Sequence, residues 1–145
     1  MAGAFKIEKR RVENLGIASE FDLHKWTIKT LQRLAWGHVK YWHAASGEKR
    51  NVQTAGKLQA MGVIRGVPDL QIFIKHEPHF LELKYGKGEL NEDQERFFRW
   101  CKEFYIPCEV ARTQEEVLNV LERWQAIRPV GWQFRPAPVH GGADV

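Results

Sequence analysis

Cysteine is scarce in this chain: Cys101 and Cys108 are the only two in 145 residues, and neither belongs to a CxxC partner set. A disulfide framework is therefore not expected. Two reduced thiols of a cytosolic protein are, one on a helix and one on a strand. Long apolar runs are absent too. None approaches the ~18 residues that a membrane span requires. The N-terminus carries Lys6, Lys9, Arg10 and Arg11 with no apolar stretch behind them, so no signal peptide is read. No His/Cys cluster has zinc spacing. His38 and His43, isolated on either side of the first expected strand, suit structural roles better than metal binding. No internal repeat or low-complexity block interrupts the sequence, and no separate segment for reading base sequence is evident.

What is present is enough for one compact domain: 43% apolar residues, including eight Phe, six Trp and three Tyr. The net charge of +4 hides an uneven distribution. Residues 1–66 hold 12 Lys/Arg against 5 Asp/Glu, whereas residues 67–145 hold 10 against 13. A basic half joined to an acidic centre suits a protein that grips phosphates and cuts one with a metal. Uneven surface charge without a function reads equally well when charge is taken alone.

The pattern along the chain predicts the order α-β-α-β-β-α-β-α. Residues 1–18 are polar and irregular, an N-terminal arm. Ser19, with Asp22 three positions on, caps a helix that buries Leu23, Trp26, Leu31 and Leu34 and ends near Gly37. Val39 to Ala45 reads as a strand with its turn at Ser46-Gly47-Glu48. A helix from about Val52 to Met61 stops at Gly62. Leu70, Ile72 and Ile74 alternate as a strand, Glu77-Pro78 is read as the turn, and Phe80 to Tyr85 returns. Asn91 caps a helix from about Glu92 to Phe104. Cys108 to Ala111 is a short strand, and Thr113 with Glu116 caps the last helix, whose inner face is Val117, Leu118, Leu121 and Trp124. Pro and Gly are dense from Arg128 onward, a C-terminal tail of residues 128–145. The fold class expected is α/β, a small mixed β-sheet flanked by helices.

The segment Gly66 to Lys84 carries chemistry. Glu82 and Lys84, two apart, leave the same face of a strand. Asp69 lies far enough upstream for one strand, a turn and the return. Converging carboxylates can hold Mg²⁺, which prefers oxygen ligands and keeps positions open for water and phosphate. A neighbouring lysine can orient the attacking water and offset charge building on phosphorus. Asp69 after a proline also reads as a turn or cap residue. Glu82 and Lys84 also read as an exposed pair, although a charged pair among Phe80, Leu81 and Leu83 is costly unless it binds something.

With these residues in view, the chain resembles the VRR-NUC family, a branch of the PD-(D/E)xK nuclease superfamily, in its stand-alone phage or bacterial type. The resemblance runs from about Ser19 to Trp124. It rests on Ser19-Glu20, on Gly47-Glu48-Lys49-Arg50, on Lys57-Leu58-Gln59-Ala60-Met61-Gly62-Val63, on Gly66 to Leu70, on Glu82-Leu83-Lys84, and on Leu90 followed by Gln94. A restriction-endonuclease-like core over residues 19–127 is what it implies. It further implies Mg²⁺- or Mn²⁺-dependent hydrolysis of DNA phosphodiesters. Asp69, Glu82 and the backbone carbonyl of Leu83 would be metal ligands, Lys84 would stand beside the nucleophile, Glu20 matches the acid of the first helix, and Gln94 the glutamine after the Glu-x-Lys strand. Glu20 would also stabilise its helix N-terminus, and Gln94 would also complete the Asn91 cap. His24 departs from the family pattern, where relatives often carry glutamine.

Arg50 and Lys57 are the candidate phosphate contacts; Lys57 reads equally as solvated surface. Trp36, Tyr41 and Trp42 can stack on unpaired bases or serve as core or dimer contacts. The resemblance implies a homodimer whose two sites would cut opposing strands of a four-way (Holliday) junction, in the cytoplasm of a bacterium or phage-infected host and without a membrane. The alternatives are a nicking, flap or restriction-like nuclease, and a non-catalytic nucleic-acid-binding subunit.

Overall fold

The computed structural model describes residues 16–44 and 52–129. The arm up to Leu15, the turn at Ser46-Gly47-Glu48 with Arg50, and the tail beyond Pro129 lie outside the described residues. The expected element order is the one found. The elements are α1 (Glu20–Leu34), β1 (Lys40–His43), α2 (Val52–Ala60), β2 (Leu70–Ile74), β3 (Glu77–Leu83), α3 (Glu92–Glu103), β4 (Cys108–Ala111) and α4 (Gln114–Arg123).

The four strands form one mixed sheet in the order β1-β2-β3-β4. β1, β2 and β3 are antiparallel neighbours, and β3 pairs in parallel with β4. A parallel pair needs a crossover, and α3 supplies it. Register assigns the faces. Leu70 opposes Leu81 and Ile72 opposes His79, so these residues share the face covered by α1 and α4, where Leu23, Leu31, Val117 and Leu121 are fully or almost fully buried. Burial of each such side chain is worth roughly 1.5–3 kcal/mol. Phe80 and Glu82 point the other way, toward α3, and the Phe80 and Phe97 rings meet edge to face at 4.9 Å.

Local chemistry sets the ends of the helices. Ser19 Oγ accepts the Asp22 N–H (3.1 Å) and Thr113 Oγ1 accepts the Glu116 N–H (3.1 Å). In both caps the returning carboxylate reaches one residue further back than the expected box: Asp22 accepts the Ala18 N–H and Glu116 the Arg112 N–H. Of the three caps at Ser19, Asn91 and Thr113, the one at Asn91 forms the full reciprocal box, with Gln94. Gly62 ends α2 with φ of 92°, as expected. Tyr105 and Gln125, with φ of 57° and 60°, take the same left-handed place after α3 and α4.

The β2–β3 turn differs from expectation. Lys75 and His76 form it, with φ of 48° and 73°, and Glu77-Pro78 already pairs with Phe73 and Ile74 in the ladder. Two left-handed residues make the tight loop whose twist matches the flanking strands, and neither is the Gly or Asn that would have flagged it. Pro78 is tolerated because β4 begins to pair only at Phe80, so the missing N–H faces no partner strand on that side. β1 is shorter than expected, and β3 starts earlier and stops at Leu83.

Candidate active site

The Gly66 to Asp69 loop, β3 and the start of α3 converge at one end of the sheet. Gly66 makes the convergence possible. Its φ is +80°, and an added Cβ would overlap the Asp93 backbone and lie 2.7 Å from Gln94 N. Only glycine allows that conformation and that approach together.

Asp69 and Glu82 are locked by reciprocal bonds. The Asp69 N–H donates to Glu82 Oε2 at 3.1 Å, and the Leu83 N–H donates to Asp69 Oδ2 at 2.8 Å. Lys84 Nζ stands 3.2 Å from Glu82 Oε1, and Gln94 Nε2 donates to the same oxygen at 2.6 Å. Gln94 does both jobs that its sequence position allows: its Oε1 accepts the Asn91 N–H at 3.0 Å while its Nε2 holds Glu82. The Glu82 side chain is 2% exposed and that of Lys84 12%. Burial, then the Asp69 charge, push the Glu82 carboxyl up to about 7, with Lys84 opposing.

Glu20, the first residue of α1, faces the same cleft. Burial raises its pKa, Lys84 lowers it and Asp69 raises it, which places its carboxylate in the field of both. Glu20, Asp69, Glu82, Lys84 and Gln94 all line one open cleft of about 1420 Å³. Lys57 is exposed on α2, while its neighbours Leu58 and Gln59 line the cleft. Arg50 falls outside the described residues. Tyr41 packs against the core, Trp36 lies partly against it with Arg128 over its ring at 5.2 Å, and Trp42 is 44% exposed.

The donor set fits a hard divalent cation. Two carboxylates and a third nearby form an oxygen-rich site, and each carboxylate oxygen keeps lone pairs beyond the bonds described. A cation would offset both the burial and the repulsion that lift Glu82. Residues 66 to 94 thus bring an acid pair, a cation and a positioned amide into one solvent-open cleft.

Sequence reasoning missed two residues that line the cleft. Arg65 lines the cleft beside Gly66; its place in the basic half next to the Pro-Asp motif was the available signal. His43 does not stand apart from the cleft: its Nδ1 is 2.8 Å from the Asp69 carbonyl oxygen, and its ring meets that of His24 edge to face at 4.8 Å. Burial holds the His24 imidazole below its ordinary pKa, with Asp69 opposing and His43 assisting.

No protein-family model matches the sequence, and no curated protein does. Among solved structures the chain is similar to one described as a VRR_NUC domain protein, with a TM-score of 0.58 and 18% identity, covering 79% of this chain and 94% of that one. The likeness is one of fold: the mixed sheet of four strands with four helices, among the described residues, matches the fold of that VRR_NUC domain protein. Among the described residues no helix is long and apolar enough to cross a membrane.

Proposed function

We propose that this protein is a Mg²⁺- or Mn²⁺-dependent DNA endonuclease selective for branched DNA, acting on four-way junctions as a homodimer. The observation that carries the reading is the meeting of Asp69, Glu82 and Lys84 in an open cleft, with Lys84 Nζ 3.2 Å from a Glu82 oxygen. The fold likeness to a VRR_NUC domain protein supports the same class. Residues 19–127 form the nuclease domain, and the bridge between Ala35 and Ile127 ties the end of that span to the end of α1.

Asp69, Glu82 and the Leu83 carbonyl would hold the metal, and Glu20 would add a further carboxylate to the same cleft. When bound, the metal supplies Lewis-acid stabilisation of the phosphate and lowers the pKa of water. Lys84 has three N–H donors; with one on Glu82, the others can orient the attacking water and a phosphate oxygen. The water oxygen forms the new bond to phosphorus, its proton passes to solvent, and the ester oxygen leaves with the electron pair of the broken bond. Gln94 fixes Glu82, so the acid pair is pre-organised before DNA arrives. Arg50, Lys57 and Arg65 grip backbone phosphates, and recognition comes from duplex shape rather than base edges.

Two coordinated cuts require two sites, and each chain supplies one. Trp42 and Phe73, 44% and 40% exposed on the sheet face away from α1, provide apolar surface for the second copy. The test is a panel of junction, flap, splayed and duplex DNAs of matched sequence with Mg²⁺ and Mn²⁺, together with sedimentation of the protein. A dimer that cuts the junction in opposing strands faster than duplex is expected. A monomer, or equal rates on junction and duplex, removes the junction assignment and leaves a nicking, flap or restriction-like nuclease. Absence of cleavage on every substrate favours a non-catalytic DNA-binding subunit.

A further inference from the structure

The side of Asp69 turned toward α1 and β1 carries two imidazoles that the nuclease reading does not use. His24 stands one turn after Glu20 on α1, and His43 ends β1. One ligand atom each from His24, His43 and Asp69 lies within 4.8 Å of the other two. His43 Nδ1 sits 2.8 Å from the Asp69 carbonyl oxygen. A carbonyl only accepts, so Nδ1 carries the hydrogen and the free lone pair is on Nε2. Ligating histidines are oriented in the same way, by donating their other ring N–H to a carbonyl or carboxylate. The Ala44 N–H reaches that carbonyl too, at 2.9 Å, so the end of β1 and the start of β2 are pinned where the cluster forms.

We propose that His24, His43 and Asp69 form a second cation subsite, which takes one divalent ion of the zinc and cobalt class. Imidazole nitrogen suits these borderline ions, whereas Mg²⁺ prefers oxygen and gives up water reluctantly. Two nitrogens and one carboxylate leave a fourth position for water, the pattern of an open zinc site. Bonds of about 2.0–2.1 Å place tetrahedral ligand atoms about 3.3 Å apart. Side-chain rotation closes the remaining gap, since His43 is exposed and His24 half-buried. The subsite shares Asp69 with the acid pair but stands on His24 and His43, so it goes beyond the nuclease reading and does not depend on it. An ion held there competes for Asp69, coupling zinc occupancy to the acid pair.

The test uses the full chain, free of any purification tag. Zn²⁺ is titrated calorimetrically in excess Mg²⁺, and Co²⁺ is followed by its visible absorption. One ion per chain is expected. His24→Gln and His43→Gln should each weaken Zn²⁺ binding by about 100-fold or more with circular dichroism unchanged, and Glu82→Gln should leave it in place. Zn²⁺ binding that is indifferent to both histidine substitutions overturns the proposal. So does binding that Glu82→Gln abolishes, because the ion then sits in the acid pair. Histidine-dependent Zn²⁺ binding without cleavage of any DNA supports the subsite and sinks the nuclease reading; Mg²⁺-dependent cleavage without histidine-dependent Zn²⁺ binding does the reverse.

Discussion

Asp69 has two unlike sides. Toward β3 and α3 it meets a closed network: a backbone N–H on its carboxylate, its own N–H on Glu82, and Lys84 and Gln94 on the same Glu82 oxygen. Toward α1 and β1 it meets two ring nitrogens held by a single carbonyl contact and an edge-to-face pair. The closed side is oxygen-rich and made rigid by a glycine that lets α3 approach. The open side is nitrogen-rich and rests partly on an exposed histidine. On the two proposals above, neighbouring halves of one cleft would select different cations, because ligand type and rigidity set selectivity.

Removing the shared residue breaks both sides at once. Asp69→Ala, and Glu82→Ala on the closed side alone, should abolish cleavage while DNA binding survives or strengthens, since a negative charge near phosphate is gone. Cleavage of labelled junctions with Mg²⁺ or Mn²⁺ measures this, and a wild-type rate in either variant refutes the assignment. Next in size is Lys84→Ala, expected to slow the chemical step by about two to four orders of magnitude with metal affinity little changed. If calorimetry finds metal binding lost together with activity, Lys84 is a structural ion-pair partner.

Gly66→Ala sharpens the comparison because it touches only the closed side. A left-handed φ and overlap with the α3 backbone should cost about 2–4 kcal/mol of stability, visible as a lowered urea midpoint. An unchanged midpoint would mean that α3 gives way freely and that the network is not held by that approach.

The Glu82 carboxyl gives a pH signature. Its pKa rises from 4.5 to about 7 on folding, so between those values the folded protein binds more protons than the unfolded chain. Stability of the metal-free protein should then be highest below pH 4.5 as far as this group is concerned. It should fall as pH rises through 7, by about 1–3 kcal/mol. Thermal melts across this range should show the slope, Glu82→Gln should flatten it, and added Mg²⁺ should stabilise more at pH 8 than at pH 5. A slope that survives Glu82→Gln belongs to another group. The smallest effect concerns the grip on DNA. Neutralising Arg50 or Lys57 should weaken binding to all DNAs alike and flatten the salt dependence by roughly one unit of slope each, as fluorescence anisotropy at several salt concentrations would register.

The closed side of Asp69 was legible in the sequence because it is local. Asp69, Glu82, Leu83, Lys84 and Gln94 lie on consecutive elements, and strand parity with one hairpin predicts that they meet. Where the turn chemistry was unmarked, the sequence reading slipped: Lys75-His76 takes left-handed backbone without Gly or Asn, so Glu77-Pro78 looked like the turn. Element order and core faces followed from periodicity, and the cap residues from their side-chain chemistry, neither of which needs long-range information.

Residues 66–94 by themselves determined that an acid pair, a lysine and an amide meet, because short-range geometry leaves few other ways to place them. The histidine side was decided only by tertiary structure. His24, His43 and Asp69 come from three separate elements, and they meet because β1 pairs with β2 while α1 lies across the sheet. Sequence spacing carries no trace of that meeting. It is the free energy of burying one apolar sheet face under α1, not any local motif, that brings the two imidazoles to Asp69.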